Sequence, residues 1–252
     1  MTPQPYVLEA DRLGKTFGAL VAADNVSLQV AAGQRVCLIG SNGAGKTTFV
    51  NMVTGYIKPS SGSIKLDGQE ITGLGPRQIA QRGVCRSFQI PQLCLELSAA
   101  ENILVALTVA RRGALSFWRG AYDADLCDEA IAMLERFGLA GHAERPVSEL
   151  PGGVRKLLDI AMALCRDPRL ILLDEPTSGV SVDEKFGMMD TVLRAMDGSN
   201  LTTLFVEHDM DIVSAYANRV VAFYSGRIIA DGAPAEVLVD AEVKRYVTGN
   251  AK

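Results

Sequence analysis

Residues 35–53 read RVCLIGSNGAGKTTFVNMV, and a pattern within this stretch decides the class of fold. The apolar run 35–39 is typical of a buried central strand, and residues 47–53 can begin a helix. Between them, residues 40–47 (GSNGAGKT) match G-x-x-x-x-G-K-[ST], in which backbone N–H groups and a helix N-terminus surround phosphate oxygens. Lys46 is then expected to reach the terminal phosphates and the Thr47 hydroxyl to ligate Mg²⁺. The strand-loop-helix context disfavours the alternative, a chance glycine-rich turn.

An acidic pair follows a second apolar run, RLILLDEP at residues 169–176. Asp174 stands at the end of this predicted strand, where its carboxylate can hold Mg²⁺, and Glu175 beside it can polarise a water molecule. Taken alone, the pattern fits equally well an ordinary strand that ends in an acidic turn. The phosphate loop elsewhere in the chain favours the catalytic interpretation.

A third apolar run, LTTLFVEHD at residues 201–209, ends near His208. In a parallel sheet this histidine would emerge at the same edge as Thr47 and Asp174, where a γ-phosphate would sit. The alternative is a structural histidine that caps the following helix.

Composition excludes some classes of protein. The chain has 252 residues, a formal charge of −4 and no basic run longer than a pair, which disfavours a nucleic-acid-binding role. Its five cysteines have no metal-ligand spacing, so they are interpreted as reduced core thiols of a cytosolic protein. The first residues do not resemble a signal peptide, and no apolar run approaches the length of a membrane helix.

The chain changes character along its length. Residues 6–40 and the pairs Asp67-Gly68 and Ser225-Gly226 predict strands and hairpins. Helical spacing dominates from residue 99 to residue 136, and strand and helix patterns alternate again after residue 169, as in a parallel sheet. We therefore predict an α/β fold in one domain, with a core at about 1–88 and 165–252 and a helical insert at about 89–164.

In their order and spacing these segments resemble the ATP-binding subunit of ABC transporters over nearly the whole chain. The similarity is greatest to the ATPases of branched-chain and hydrophobic amino acid importers, through residues 15–30, 86–106, 207–213 and 226–249. The resemblance implies a P-loop NTPase with a RecA-like core, an antiparallel β subdomain and a helical subdomain. It also implies that Phe17 stacks on adenine and that Gln89 lies near Mg²⁺ and the lytic water. Considered one at a time, Phe17 would be interpreted as a core aromatic residue and Gln89 as a surface amide.

The resemblance implies ATP and Mg²⁺ as ligands. The expected catalytic residues are Glu175, His208, Lys46 and Gln89, and the expected Mg²⁺ ligands are Thr47, Gln89 and Asp174. The expected nucleotide-binding residues are Phe17, Gly40, Ser41, Asn42, Gly43, Ala44, Gly45, Lys46, Thr47, Thr48, Pro151, Gly152 and Gly153.

Two departures from the family pattern concern the ATPase dimer. LPGGV at residues 150–154 stands where the family has LSGGQ, a helix N-terminus that contacts the γ-phosphate bound by the other subunit. Pro151 lacks the serine hydroxyl and an N–H, whereas the glycine amides and the helix dipole remain. Ser181 stands where the family's dimer loop usually has aspartate. Because the importers that this chain resembles commonly pair two different ATPases, we hypothesise an asymmetric dimer. In it the phosphate loop of this chain faces an intact signature of the partner, and the ATP site that uses Pro151 is the slower one.

The resemblance also implies partners: a second ABC ATPase in a heterodimer or a homodimer, two integral membrane permease subunits and, indirectly, a solute-binding protein outside the membrane. The chain would then lie peripherally at the cytoplasmic face of the membrane. Residues 90–97 and the aromatic side chains Phe117, Trp118 and Tyr122 are candidate contacts for the permease. The alternatives are a soluble ABC ATPase in cofactor assembly and a weakly hydrolysing regulatory ATP-binding module. A small-molecule kinase is disfavoured, because the sequence does not indicate the acceptor pocket that it would need.

Overall fold

The computed structural model describes residues 6–112, 124–198 and 200–249. These residues group into two units, within 1–85, 169–175 and 200–252 (unit 1) and within 86–168 and 176–199 (unit 2). The strands are β1 (Tyr6–Phe17), β2 (Leu20–Ala31), β3 (Arg35–Gly40), β4 (Ser61–Leu66), β5 (Gln69–Glu70), β6 (Val84–Ser87), β7 (Leu170–Asp174), β8 (Thr202–Val206), β9 (Arg219–Tyr224) and β10 (Arg227–Gly232). The helices are α1 (Lys46–Val53), α2 (Pro76–Gln81), α3 (Ala99–Arg112), α4 (Ala124–Arg136), α5 (Gly152–Leu164), α6 (Val182–Met196), α7 (Met210–Tyr216), α8 (Pro234–Val237) and α9 (Ala241–Val243).

Unit 1 contains the predicted parallel sheet. Its strand order is β10-β9-β3-β8-β7-β6, and β3 pairs in parallel with both β8 and β9, as β8 does with β7. Every residue of β7 and β8 is buried, which explains their mostly apolar sequences. Asp174, Thr202 and Thr203 are the buried polar residues in these strands. The sequence prediction of a parallel α/β sheet is confirmed.

A second, antiparallel sheet in unit 1 has the order β2-β1-β4-β5. The pairs Asp67-Gly68 and Ser225-Gly226 each form the two-residue turn of a hairpin, with positive φ at both residues. These dihedrals suit a turn whose twist matches that of the strands. Both hairpin predictions are confirmed.

The core of unit 1 packs side chains of both sheets around α1. Phe49 of α1 lies with its ring centroid 5.8 Å from that of Phe223 in β9, and both side chains are fully buried. This packing fixes the helix that follows the phosphate loop against the central strands.

Unit 2 is helical. In it α3 packs on α4 and α5, and α6 packs on α4 and α5. The guanidinium of Arg136, at the end of α4, donates to the carbonyl of Ala195 in α6. Residues 176–199, which the sequence pattern places in the core, group with the helices of unit 2, where α6 packs on α4 and α5. The predicted domain bounds stay a prediction. Phe117, Trp118 and Tyr122 lie outside the described residues.

The cysteines only partly follow their interpretation as core thiols. Cys37, Cys85 and Cys165 are buried, whereas Cys127 is half-buried and Cys94 is exposed in an irregular segment. The prediction that Cys94 is a core thiol is therefore wrong. Burial, followed by the nearby Glu207 carboxylate, raises the pKa of the Cys37 thiol well above its usual value. Among residues 6–112, 124–198 and 200–249, no helix is long and apolar enough to cross a membrane.

Candidate functional site

The phosphate loop joins β3 to α1. The helix begins at Lys46, and Gly45 precedes it with φ of 107°. A Cβ at Gly45 would lie 2.8 Å from the carbonyl oxygen of Ala22, so both the backbone conformation and the space require glycine. The loop thus ends at the N-terminus of α1, the kind of position at which backbone N–H groups bind anions.

The side chain of Lys46 is buried against the backbone of the phosphate loop. Its ammonium donates to the carbonyl oxygens of Gly40 at 2.6 Å and Ser41 at 3.1 Å, and only 5% of the residue is exposed. Burial lowers the pKa of this ammonium from its usual value, and the carboxylates of Glu175 and Asp174 oppose that shift. A buried lysine within the electrostatic reach of two carboxylates is typical of a site that binds a charged ligand.

Strand pairing brings Glu175 and His208, two of the predicted catalytic residues, close to each other. Asp174 at the end of β7 is paired with Val206 at the end of β8, and the backbone N–H of Glu175 donates to the Val206 carbonyl at 3.0 Å. Glu175 Oε1 consequently lies 3.1 Å from His208 Nε2. Glu175 has φ of 48°, a left-handed conformation that is unfavourable for a non-glycine residue and is often found at functional sites.

The site lies at one edge of the parallel sheet. The neighbours β3, β8 and β7 end in the phosphate loop, His208 and the acidic pair, respectively. Ligands of parallel α/β sheets bind at this edge, beyond the carboxyl ends of the strands. The structure thus brings together the loop, Asp174, Glu175 and His208, as the sequence predicts.

The donor set at this edge fits Mg²⁺. Thr47 is an exposed residue with a hydroxyl, and Asp174 supplies a carboxylate; both are the hard oxygen ligands that Mg²⁺ prefers. Because these sites keep several waters and phosphate oxygens as ligands, a large protein cluster is not needed. Across the part of the chain that the structure describes, no group of three or more His, Cys, Asp or Glu suits a metal.

Two further predicted site residues, Phe17 and Gln89, are described by their own surroundings. Phe17 ends β1 in unit 1 with 47% of its surface exposed, and the Lys15 ammonium lies 5.1 Å from its ring centroid. Gln89 is an exposed residue of unit 2, in the irregular segment after β6. Their roles toward adenine and Mg²⁺ stay predictions.

The segment that resembles the signature begins α5 in unit 2. Pro151 occupies the N-cap position, and no side chain caps the helix. A Cβ added at Gly152 would meet no described atom within 4 Å, and one at Gly153 would touch only Val180, at 3.9 Å. Packing among the described residues therefore does not explain why both positions are glycine.

The structure also shows a support for the phosphate loop that sequence reasoning missed. In the β9–β10 turn, the N–H of Gly226 donates to the carbonyl of Ala44 at 2.9 Å, and its carbonyl accepts from the N–H of Asp24 at 2.8 Å. Arg227 extends this link through an ion pair with Asp24. The sequence signals only a hairpin at this point, because the contact joins residues about 180 positions apart.

A glycine-rich loop on a parallel sheet, a buried lysine and an acidic pair at adjoining strand ends define a P-loop nucleoside triphosphatase. The chain belongs to the ABC transporter family, whose model matches residues 23–178. It is 36% identical to LivG, the high-affinity branched-chain amino acid transport ATP-binding protein of Escherichia coli K12, over 97% of this chain and 98% of that protein. Identity to the corresponding protein BraF of Pseudomonas aeruginosa is 35% over the same shares of each chain.

Solved structures of ABC transporter proteins are similar to this chain over nearly its whole length. The ADP conformation of an ATP-binding cassette of an ABC transporter matches with a TM-score of 0.84 at 31% identity, over 95% of this chain and 97% of that one. The structure of cbiO1 from Clostridium perfringens, part of the ABC transporter complex cbiONQ, matches with a TM-score of 0.80 at 27% identity, over 96% and 94%. This chain is therefore an ATPase subunit whose ATP hydrolysis is coupled to transport, and these matches do not support the soluble alternative.

We expect Lys46→Met to weaken ATP binding about 10- to 100-fold, because a charge-assisted hydrogen bond contributes about 1.5–3 kcal/mol. Isothermal titration calorimetry of the purified chain measures this change. Lys65→Met, at an exposed lysine of β4, is the control and should bind ATP as the wild type does. Equal affinity in all three proteins would contradict a phosphate-binding role for Lys46.

Gly226→Ala should weaken ATP binding through the loop support. Gly226 has φ of 78°, and its Cβ would lie 3.2 Å from both the carbonyl carbon and the carbonyl oxygen of Ala22. Gly68 takes the same place in the other hairpin with φ of 74°, and its Cβ would meet nothing described within 4 Å. Both substitutions should lower the free energy of unfolding by about 1 kcal/mol through backbone strain.

Only Gly226→Ala should also reduce ATP affinity, as titration of both variants against the wild type would show. If Gly68→Ala reduced ATP affinity equally, the effect would belong to general destabilisation and not to the contact with the phosphate loop.

Proposed function

We propose that this chain is one ATPase subunit of an importer of branched-chain amino acids, in which hydrolysis of MgATP drives uptake. The observation that carries this proposal is the similarity to LivG over nearly the full length of both proteins. The match covers the regions outside the ATP site as well as the site itself. The cargo itself would be selected by the permease and the solute-binding protein.

The proposed chemistry assigns one task to each group at the sheet edge. The amides of residues 40–48 and the Lys46 ammonium would bind the phosphates, and Thr47 and Asp174 would hold Mg²⁺. The role of Gln89 toward Mg²⁺ rests on the family resemblance alone. When bound, Mg²⁺ neutralises charge on the phosphate oxygens. Phe17 offers an exposed ring on which adenine can stack.

Glu175 acts as the general base toward the attacking water. Its 3.1 Å contact with His208 holds the carboxylate in a defined orientation. His208 is the contact for the γ-phosphate. Because the left-handed backbone at Glu175 is fixed by the bond from its N–H to Val206, the carboxylate is preorganised before ATP binds.

A second ATPase subunit, identical or different, completes the site. The open backbone at Gly152 and Gly153 leaves space for a nucleotide bound to that subunit, and the N-terminus of α5 favours its negative charge. Ser181 is the N-cap residue of α6 and donates its hydroxyl to Glu184 at 2.6 Å. It thus uses its hydroxyl within its own chain, where the family usually offers an aspartate to the dimer.

The permease contact lies on the segment that follows β6. There Ile90 is 75% exposed and Leu95 is 49% exposed, although both are large and apolar. Two integral membrane permease subunits, with a solute-binding protein beyond them, would hold the chain at the cytoplasmic face of the membrane.

The test begins with the tagged chain purified from detergent-solubilised membranes of its host, its partners being identified by mass spectrometry. In proteoliposomes that contain this complex, we expect ATP-dependent uptake of labelled leucine. Glu175→Gln should reduce hydrolysis and uptake by about 100-fold or more, since a general base contributes about 10²–10⁴. It should leave ATP binding intact.

Glu144→Gln, at an exposed position of unit 2, serves as the matched control and should transport normally. Recovery of the chain without any integral membrane protein would refute the transporter assembly. Uptake of a different solute would refute the cargo alone.

The asymmetric dimer makes a separate prediction. Pro151→Ser restores a preferred N-cap residue and should raise the free energy of unfolding by about 1 kcal/mol. In the assembled complex it should also raise ATP hydrolysis, by about tenfold if the serine regains one hydrogen bond in the transition state. A chemical denaturation curve and phosphate release measure the two effects, and unchanged hydrolysis would count against a slow site at Pro151.

A further inference from the structure

Three polar side chains of unit 2 are buried against an irregular stretch of backbone. Asn102 is 0% exposed, Lys156 is 3% exposed and Asp159 is 6% exposed. All three direct their polar atoms to main-chain groups between residues 88 and 98. This stretch contains Gln89 and the exposed apolar side chain of Ile90.

Lys156 and Asp159 hold the first half of the stretch. Asp159 accepts from the N–H of Phe88 through Oδ2 and from the N–H of Gln92 through Oδ1, each at 3.0 Å. Lys156 Nζ donates to the carbonyls of Phe88 at 2.7 Å and Gln89 at 3.0 Å. Because the two residues are three positions apart, they lie on the same face of α5.

Asn102 of α3 holds the second half. Its Oδ1 accepts from the N–H of Cys94 at 2.9 Å, and its Nδ2 donates to the carbonyls of Cys94 at 3.0 Å and Ser98 at 2.9 Å. Residues 88–98 form no regular strand or helix, so these side chains take the place of the hydrogen bonds of secondary structure.

Burying both charges is costly, and packing alone does not require them. Burial raises the pKa of Asp159, although the N–H groups of Gln92 and Phe88 and the charge of Lys156 oppose the shift. Apolar residues of similar volume often stabilise a helix face as well as a buried charge pair does. What the charges add is a fixed backbone conformation for residues 88–92.

The helix that holds residues 88–92 in place also carries the glycines of the signature segment. The helix begins at Gly152, and Lys156 lies about one turn further along. The segment that carries Gln89 and the N-terminus that carries Gly152 and Gly153 are thus joined to the same helix. A displacement of one must displace the other.

We propose that Lys156 and Asp159 are positioning residues that lock residues 88–92 to α5, so that a push on the exposed segment by a permease moves the glycines at the helix N-terminus. This inference rests on the proposed function, since it assumes a permease at that segment. It assigns a task to two residues that touch neither nucleotide nor Mg²⁺.

Hydrogen exchange of the full-length chain tests the lock directly. Asp159→Asn leaves one acceptor oxygen for two N–H donors, and Lys156→Met removes all donors at nearly the same length. We expect exchange at Phe88 and Gln92 to become about tenfold faster in Asp159→Asn, as loss of one ordinary hydrogen bond predicts. Lys156→Arg keeps donors and should retain most of the protection.

Asp128→Asn makes the same chemical change at an exposed position of α4 and should exchange as the wild type does. Circular dichroism verifies that each variant is folded, and Lys156→Met decides the question if Asp159→Asn does not fold. Unchanged exchange at residues 88–92 in a folded variant would overturn the lock.

The functional arm compares the ATPase rate of the purified membrane complex with that of the isolated chain. Lys156→Met should lose most of the stimulation by the complex, keep its KM for ATP and recover in Lys156→Arg. Undiminished stimulation would refute the positioning role. A wild-type complex that is stimulated but does not take up leucine would refute only the cargo, and this ratio would still decide the inference.

Discussion

The parallel register of β3, β8 and β7 is the constraint on which the ATP site depends. Each strand delivers one component at its carboxyl end, and the pairing of Asp174 with Val206 places Glu175 beside His208. Because every residue of β7 and β8 is buried, a slip of one residue would exchange the side chains that pack on the two faces of the sheet. Packing of the core therefore fixes the spacing of the catalytic groups.

The phosphate loop shows how a strained, polar segment is retained in a stable fold. The position of Gly45 has no space for a side chain next to Ala22, and the N–H of Gly226 in the β9–β10 turn is hydrogen-bonded to Ala44 of the loop. The buried ammonium of Lys46 is satisfied by loop carbonyls, which limits the cost of its burial. The loop is thus shaped by its own chain before a phosphate arrives.

Unit 2 contains an exposed irregular segment, residues 88–98, that lacks the hydrogen bonds of a regular strand or helix. Buried polar groups on α3 and α5 supply the missing bonds. The start of α5, by contrast, has neither a side-chain cap nor a steric reason for its glycines among the described residues. Both features make sense in an assembly of several subunits, in which one chain supplies part of each contact.

The phosphate loop, the acidic pair, both hairpins and the helices α3 and α4 could be predicted from the sequence, because each depends on local spacing or on the periodicity of apolar residues. Only the tertiary structure assigned α6 to the helical unit, exposed Cys94 and joined Gly226 to the phosphate loop. It alone paired Lys156 and Asp159 with the backbone of residues 88–92. These contacts link residues far apart in the chain, and their energies depend on burial and hydrogen-bond geometry, which a linear pattern does not contain.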